Sequence, residues 1–188
     1  MKHDQILENL LAEAERDQNH LAVMLFGSVA AGTQRADSDL DVITILRASK
    51  PGSGLNNTMV DGIKVGNLFL TYDILVHSVE TVPYLLHPFC GARLVFDRED
   101  TIKPLQEKIR SYFDDHPEIV EEWNGHYRQF REEKAQFGYE KTTIIDVWNE
   151  LERRHSGGKT RRRFFNAFYF SNRLIFSVVK KLLSGFKA

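Results

Sequence analysis

The sequence reads as an α/β (α+β) protein, with strands and helices mixed before residue 100 and helices alone after it. Three observations lead there. Short apolar runs rich in β-branched residues stand at 22–26 (AVMLF) and 39–46 (DLDVITIL), and a longer one at 67–77 (NLFLTYDILVH); their length and composition are those of strands. Ahead of them Ile6, Leu7, Leu10, Leu11 and Ala14 recur at helical spacing. Beyond Pro88 the pattern changes to charged stretches of helical character. At roughly 100–200 residues per domain, the length of 188 admits one domain or two small ones, and the change of pattern divides the chain into 1–99 and 100–188.

In order, the spacing predicts a first helix over 4–17, a strand over 22–26 that ends at Gly27-Ser28, and a strand over 39–46. Segment 47–57 (RASKPGSGLNN) has the Pro, Gly, Ser and Asn content of a loop. TMVDGIKV reads as a hairpin turning at Asp61-Gly62, and 67–77 is the longest strand candidate. ARLVF near residue 94 is a short apolar segment. Helices are expected at about 101–113, 117–135, 140–155 and 160–184, with SGGK at 156–159 as a break.

Composition narrows the function. With 42% hydrophobic and 27% charged residues, five Pro and twelve Gly, the chain falls outside collagen-like and disordered classes. The net charge of -1 hides an asymmetry: residues 153–188 carry ten Lys/Arg and no Asp/Glu, leaving 15 positive and 26 negative charges before them. Such a division points to an anionic partner or to attraction between the two parts. The single Cys90 cannot form an internal disulfide, so a reducing, cytoplasmic setting is expected. The N-terminus reads as an amphipathic helix rather than a signal peptide. Asn166, Asn172, Arg173, Lys180 and Lys181 interrupt the most apolar stretch, so no membrane span is expected, a spanning helix needing about 20 mostly apolar residues.

The segment that carries chemistry is LFGSVAAGTQRADSDLDV, residues 25–42. A strand ends at Gly27, where a missing side chain lets the backbone approach a ligand. Ser28 adds a hydroxyl and an amide. Asp39 and Asp41 bracket Leu40 at the start of the next strand, and alternation points both carboxylates to one face. Two adjacent anions are costly unless a cation lies between them, and Mg²⁺ takes one or two carboxylates together with water and substrate phosphates. Asp73, the acidic residue inside the apolar run LTYDILV, is the candidate third carboxylate, because a charge buried there needs a partner. Asp61 is second choice, its place before Gly62 being explained by the turn.

Gly27-Ser28, Gly32 and Ser38-Asp39-Leu40-Asp41 resemble the signature of the polymerase-beta-like nucleotidyltransferase superfamily. The layout is similar to aminoglycoside and lincosamide nucleotidyltransferase-like bacterial proteins. The resemblance implies a mixed sheet flanked by helices and followed by a C-terminal helical bundle. It implies two Mg²⁺ ions on Asp39, Asp41 and Asp73, which are also the catalytic residues. Gly27 and Ser28 would bind the triphosphate of ATP or another NTP, with Ser38 among the nucleotide-binding positions. Arg35 and Lys64 are further candidates by their nearness in sequence.

The reaction so implied is transfer of a nucleoside monophosphate, most simply AMP, to a hydroxyl of a small molecule such as an antibiotic, with release of pyrophosphate. A protein hydroxyl, as in AMPylation, is the next acceptor class, and an antitoxin-like module using the fold for protein contact is the alternative of another kind. Glu118, Glu121 and Glu122 are candidates for a base or for binding a cationic acceptor. The basic, aromatic segment after residue 158 reads as a core or homodimer-interface helix before it reads as a nucleic-acid contact. The seven histidines show no HExxH-like pair, which disfavours zinc. His77 and His87 read as loop or edge residues, Arg110 and His116 as a loose pair at a helix boundary, and Cys90 as an inert thiol.

Overall fold

The computed structural model describes residues 2–50, 54–138 and 141–156. Helix α1 (Lys2–Arg16) leads into strand β1 (His20–Leu25), and the five-residue helix α2 (Gly27–Ala31) connects β1 to β2 (Leu40–Leu46). Strands β3 (Gly54–Val60) and β4 (Ile63–Thr71) form a hairpin, followed by α3 (Tyr72–Thr81), two 3-10 turns (Pro83–Leu85 and His87–Gly91) and β5 (Arg93–Asp97). Helices α4 (Ile102–Asp115), α5 (Pro117–Phe137) and α6 (Ile144–His155) complete the described chain. The helix expected over 160–184 lies outside the described residues.

The five strands form one mixed sheet in the order β3-β4-β2-β1-β5. β2 runs parallel to β4, and every other neighbouring pair is antiparallel. The hairpin turns at Asp61 and Gly62, both at positive φ (50° and 81°), with Val60 opposite Ile63. That is the two-residue turn whose twist matches the flanking strands.

Alternation along β1 and β2 divides the core between the two faces of the sheet. Val23, Leu25, Leu40 and Val42 join Ile6 and Ala14 of α1 in one buried cluster. Ala22, Met24, Ile43 and Ile45 join α3, the 3-10 turns, α4, α5 and α6 in the larger one. The helices after residue 100 thus share a core with the sheet. Trp123 of α5 is completely buried, and its indole N–H donates to Tyr84 O at 2.8 Å.

The run 67–77 is not a single strand. β4 ends at Thr71, whose side chain accepts the Ile74 N–H and caps α3. Leu75, Ser78 and Val79 are then buried at helical spacing, so the apolar run changes period midway. β3 begins at Gly54, inside the segment expected as a loop, because its residues pair with β4 from Phe69 onward.

His87 is neither loop nor edge. It lies half-buried in the second 3-10 turn, stacked on Trp123, edge-on to Phe113 and hydrogen-bonded through Nδ1 to the Tyr127 hydroxyl at 3.2 Å. Burial pushes its pKa below the usual histidine value. The unfolded chain, titrating near 6.5, therefore takes up the proton first, and the stability His87 gives is complete above about pH 6.5 and declines as pH falls below it. Urea midpoints compared between wild type and His87→Leu at pH 7.5 and 5.5 are expected to show wild type losing the more over that interval. A constant difference would refute it.

Candidate functional site

Hydrogen bonds at the end of β1 and in the turn before β2 set the positions of Gly27, Asp39 and Asp41, while Ser28 follows Gly27 in the first turn of α2. The Phe26 N–H donates to Asp41 O at 3.0 Å, tying the end of β1 to β2. Gly27 follows at φ +61°. The Ser38 hydroxyl oxygen accepts the Arg35 N–H at 2.8 Å, and Ser38 N–H returns to Arg35 O, closing a turn just before Asp39. A ring nitrogen of buried His3 on α1 meets Ser38 O at 2.7 Å. Ser38 therefore sets the approach of the chain to β2.

The Asp41 side chain fits between two glycines. A Cβ on Gly27 would lie 2.9 Å from Asp41 Oδ2, and one on Gly66 would lie 3.3 Å from Asp41 Oδ1. Gly66 stands directly beside Asp41 in the β2–β4 register, and Asn57 faces Gly66 across the hairpin. Asn57 Oδ1 lies 3.4 Å from the same Gly66 Cβ position. Two residues before Gly66 on β4, Lys64 reaches Asp39, the residue just ahead of β2, with Nζ 3.3 Å from Oδ2, which puts the Asp39 carboxylate beside the face that Lys64 shares with Gly66. Both partners are about half exposed, at 52% and 47%.

Gly27→Ala tests this cradle. The left-handed backbone is expected to cost about 1–2 kcal/mol with any Cβ, and the contact at 2.9 Å displaces the Asp41 carboxylate as well. Lowered stability in urea together with weakened Mn²⁺ binding is the expected outcome. Unchanged metal affinity would remove Gly27 from the site.

Asp73 is not with this pair. It is exposed in the first turn of α3, beyond the end of β4 that pairs with Leu46, whereas Asp41 pairs with Gly66 near the other end. Five strand steps separate Gly66 from Thr71, roughly 16 Å of rise. The sequence expectation rested on a buried strand carboxylate, but an acidic side chain in a first helical turn is favoured there by the helix dipole and needs no metal.

The other candidates have separate surroundings. Arg35 pairs with Asp37, Glu121 with Arg128, and Glu122 with Arg154 and His155. Arg110 donates to Cys90 O, while His116 stacks on Tyr112. His77 is exposed on α3. Burial pushes the Cys90 thiol up to about 11, which keeps it protonated and unreactive. Gly66 and Asn57 are the residues the sequence reading missed. The hairpin turn sets 57 opposite 66 and was legible, but the neighbour of Gly66 on its other side was not.

Residues 7–147 match the family described as the nucleotidyltransferase domain. The chain belongs to that family. Membership makes it a transferase of nucleotidyl groups, with a nucleoside triphosphate as donor. The nucleotidyltransferase domain is also similar to a nucleotidyltransferase-like protein from Exiguobacterium sibiricum 255-15, at 11% identity and a TM-score of 0.42 over 94% of this chain and 75% of that one. The comparison with curated proteins gives no match.

One divalent cation, of the kind such domains use, suits Asp39 and Asp41. Both carry hard oxygen donors of the kind a divalent cation takes, and the missing side chains of Gly27 and Gly66 are what let the Asp41 carboxylate take its place. The third carboxylate expected to hold a second, Asp73, stands apart on α3. Among the described residues no group of three or more His, Cys, Asp or Glu could hold a metal ion. No described helix is long and apolar enough to cross a membrane.

Proposed function

We propose that this nucleotidyltransferase domain transfers a nucleoside monophosphate, most simply AMP from ATP, to a hydroxyl of a small molecule such as an aminoglycoside or lincosamide antibiotic. The observation that carries the proposal is the Asp41 carboxylate lodged between Gly27 and Gly66, with Asp39 on the same face. Asp41 and Asp39 would hold one Mg²⁺, which when bound neutralises triphosphate charge. Gly27 permits close approach of the phosphates, Ser28 contributes its hydroxyl and amide, and Lys64 adds a positive charge beside Asp39. The acceptor oxygen forms a bond to the α-phosphorus as the α–β bridging P–O bond breaks. Pyrophosphate leaves with the electron pair, and the hydroxyl proton passes to solvent. Positioning and charge compensation carry the catalysis.

Two features support an acceptor on the helical side of the sheet. Asp41 shares its face of β2 with Ile43 and Ile45, which pack under the helical layer, and Phe26 meets Phe89 edge-on at 5.6 Å. A small acceptor would therefore lie between the end of β2 and the helices. The test is a panel of hydroxyl compounds and cell extract incubated with labelled ATP and Mg²⁺, read by pyrophosphate release and mass shift. A labelled small molecule supports the reading, a labelled protein moves the acceptor to a side-chain hydroxyl, and no pyrophosphate above a protein-free control overturns it.

A further inference from the structure

We infer that the site is built for a single divalent cation, with the Lys64 ammonium supplying the compensation that a second cation would otherwise give. The inference rests on the proposed nucleotidyl transfer and deepens it. Three observations on adjoining strands carry it. The β4 position beside Asp41 is Gly66, which offers no ligand, and a Cβ there would already lie 3.3 Å from Asp41 Oδ1. The side chain reaching over Gly66 from β3 is the neutral Asn57, whose Oδ1 lies 3.4 Å from the same point. The next β4 residue on that face is Lys64, in contact with Asp39 at 3.3 Å. Where a third acid would face the pair, the chain presents a glycine, a carboxamide and an ammonium.

Charge makes the substitution self-consistent. Two carboxylates, one ammonium and one dication sum to the same local charge as three carboxylates and two dications, so a triphosphate meets a similar field either way. Adding a second dication to two carboxylates and an ammonium would set that ion against Lys64 with no anion on β4 to separate them. Like charges at such distances repel, and only partial exposure to water moderates the cost. Lys64, on a flexible stem with three donors, can turn from Asp39 to a phosphate oxygen once a dication engages the carboxylates.

The experiment counts Mn²⁺ ions bound to the full chain at saturating α,β-methylene-ATP, by electron paramagnetic resonance and equilibrium dialysis. The expected result is one Mn²⁺ per nucleotide-bound chain, without the spectral broadening of a coupled pair. Lys64→Met is expected to keep that stoichiometry while weakening nucleotide binding about tenfold, the loss of one charge-assisted contact. Adding Gly66→Asp to Lys64→Met is expected to raise the count to two. Two ions in wild type, an unchanged nucleotide affinity in Lys64→Met, or a folded double variant that binds nucleotide with one ion overturns the inference and leaves nucleotidyl transfer standing. Absence of any nucleotide-dependent Mn²⁺ uptake in wild type overturns both.

Discussion

Asp41→Asn is expected to lower nucleotidyl transfer by about three orders of magnitude, near 4 kcal/mol of transition-state stabilisation, and to leave the fold in place. The carboxylate is the side chain around which the site is arranged, with Gly27 on one side and Gly66 on the other. A carboxamide of the same shape keeps the packing but loses the charge that a dication needs. Stability should hardly change, because Asp41 is exposed and its backbone carbonyl still accepts the Phe26 N–H. Pyrophosphate release at saturating nucleotide and urea midpoints read the two effects separately. A rate within tenfold of wild type would show that this carboxylate is not at the reacting centre.

The largest expected loss of stability is in Trp123→Ala, about 4 kcal/mol, the usual range for emptying a buried aromatic site being 3–5. Trp123 is fully buried, stacks on His87, contacts the Tyr127 ring and donates to Tyr84 O. Its removal opens a cavity where α5 meets the 3-10 turns and leaves a buried carbonyl without its donor. Equilibrium urea unfolding measures it, and a loss below about 2 kcal/mol would mean that the neighbouring helices close the gap. The same layer carries Phe89 against Phe26, so transfer is expected to become heat-labile in this variant well before the carboxylates are disturbed.

Much of this was legible along the chain. The β1 and β2 runs, the Asp61-Gly62 turn, the periodic face of α1 and the charged helices α4 and α5 emerge close to where local pattern puts them. The motif at residues 25–42 pointed to nucleotidyl transfer, and the family match agrees. The failure at Asp73 is instructive because a local signal for the right answer existed. Thr71 followed by Tyr72 and Asp73 is a helix start, with a hydroxyl at the cap and an acid in the first turn, but the apolar run on both sides masked it. The 3-10 turns between α3 and β5 carry Leu85 and Phe89 into the core, and their short irregular pattern has no period to read.

The amino-acid sequence by itself determined α1, the β1 and β2 runs, the hairpin register that sets Asn57 opposite Gly66, and the alternation that puts Asp39 and Asp41 on one face, since each follows from contacts between near neighbours. Tertiary structure alone decided that β4 lies parallel beside β2, bringing Gly66 against Asp41 and Lys64 against Asp39, a pair 25 residues apart. Parallel strands are joined by long connections rather than tight turns, so no local rule fixes their register. A slip of one residue would have turned Lys64 to the opposite face. The core on both sides of the sheet is what forbids that slip, because Val65 and Ile63 are needed under α1 while Leu70 is needed under the helical layer.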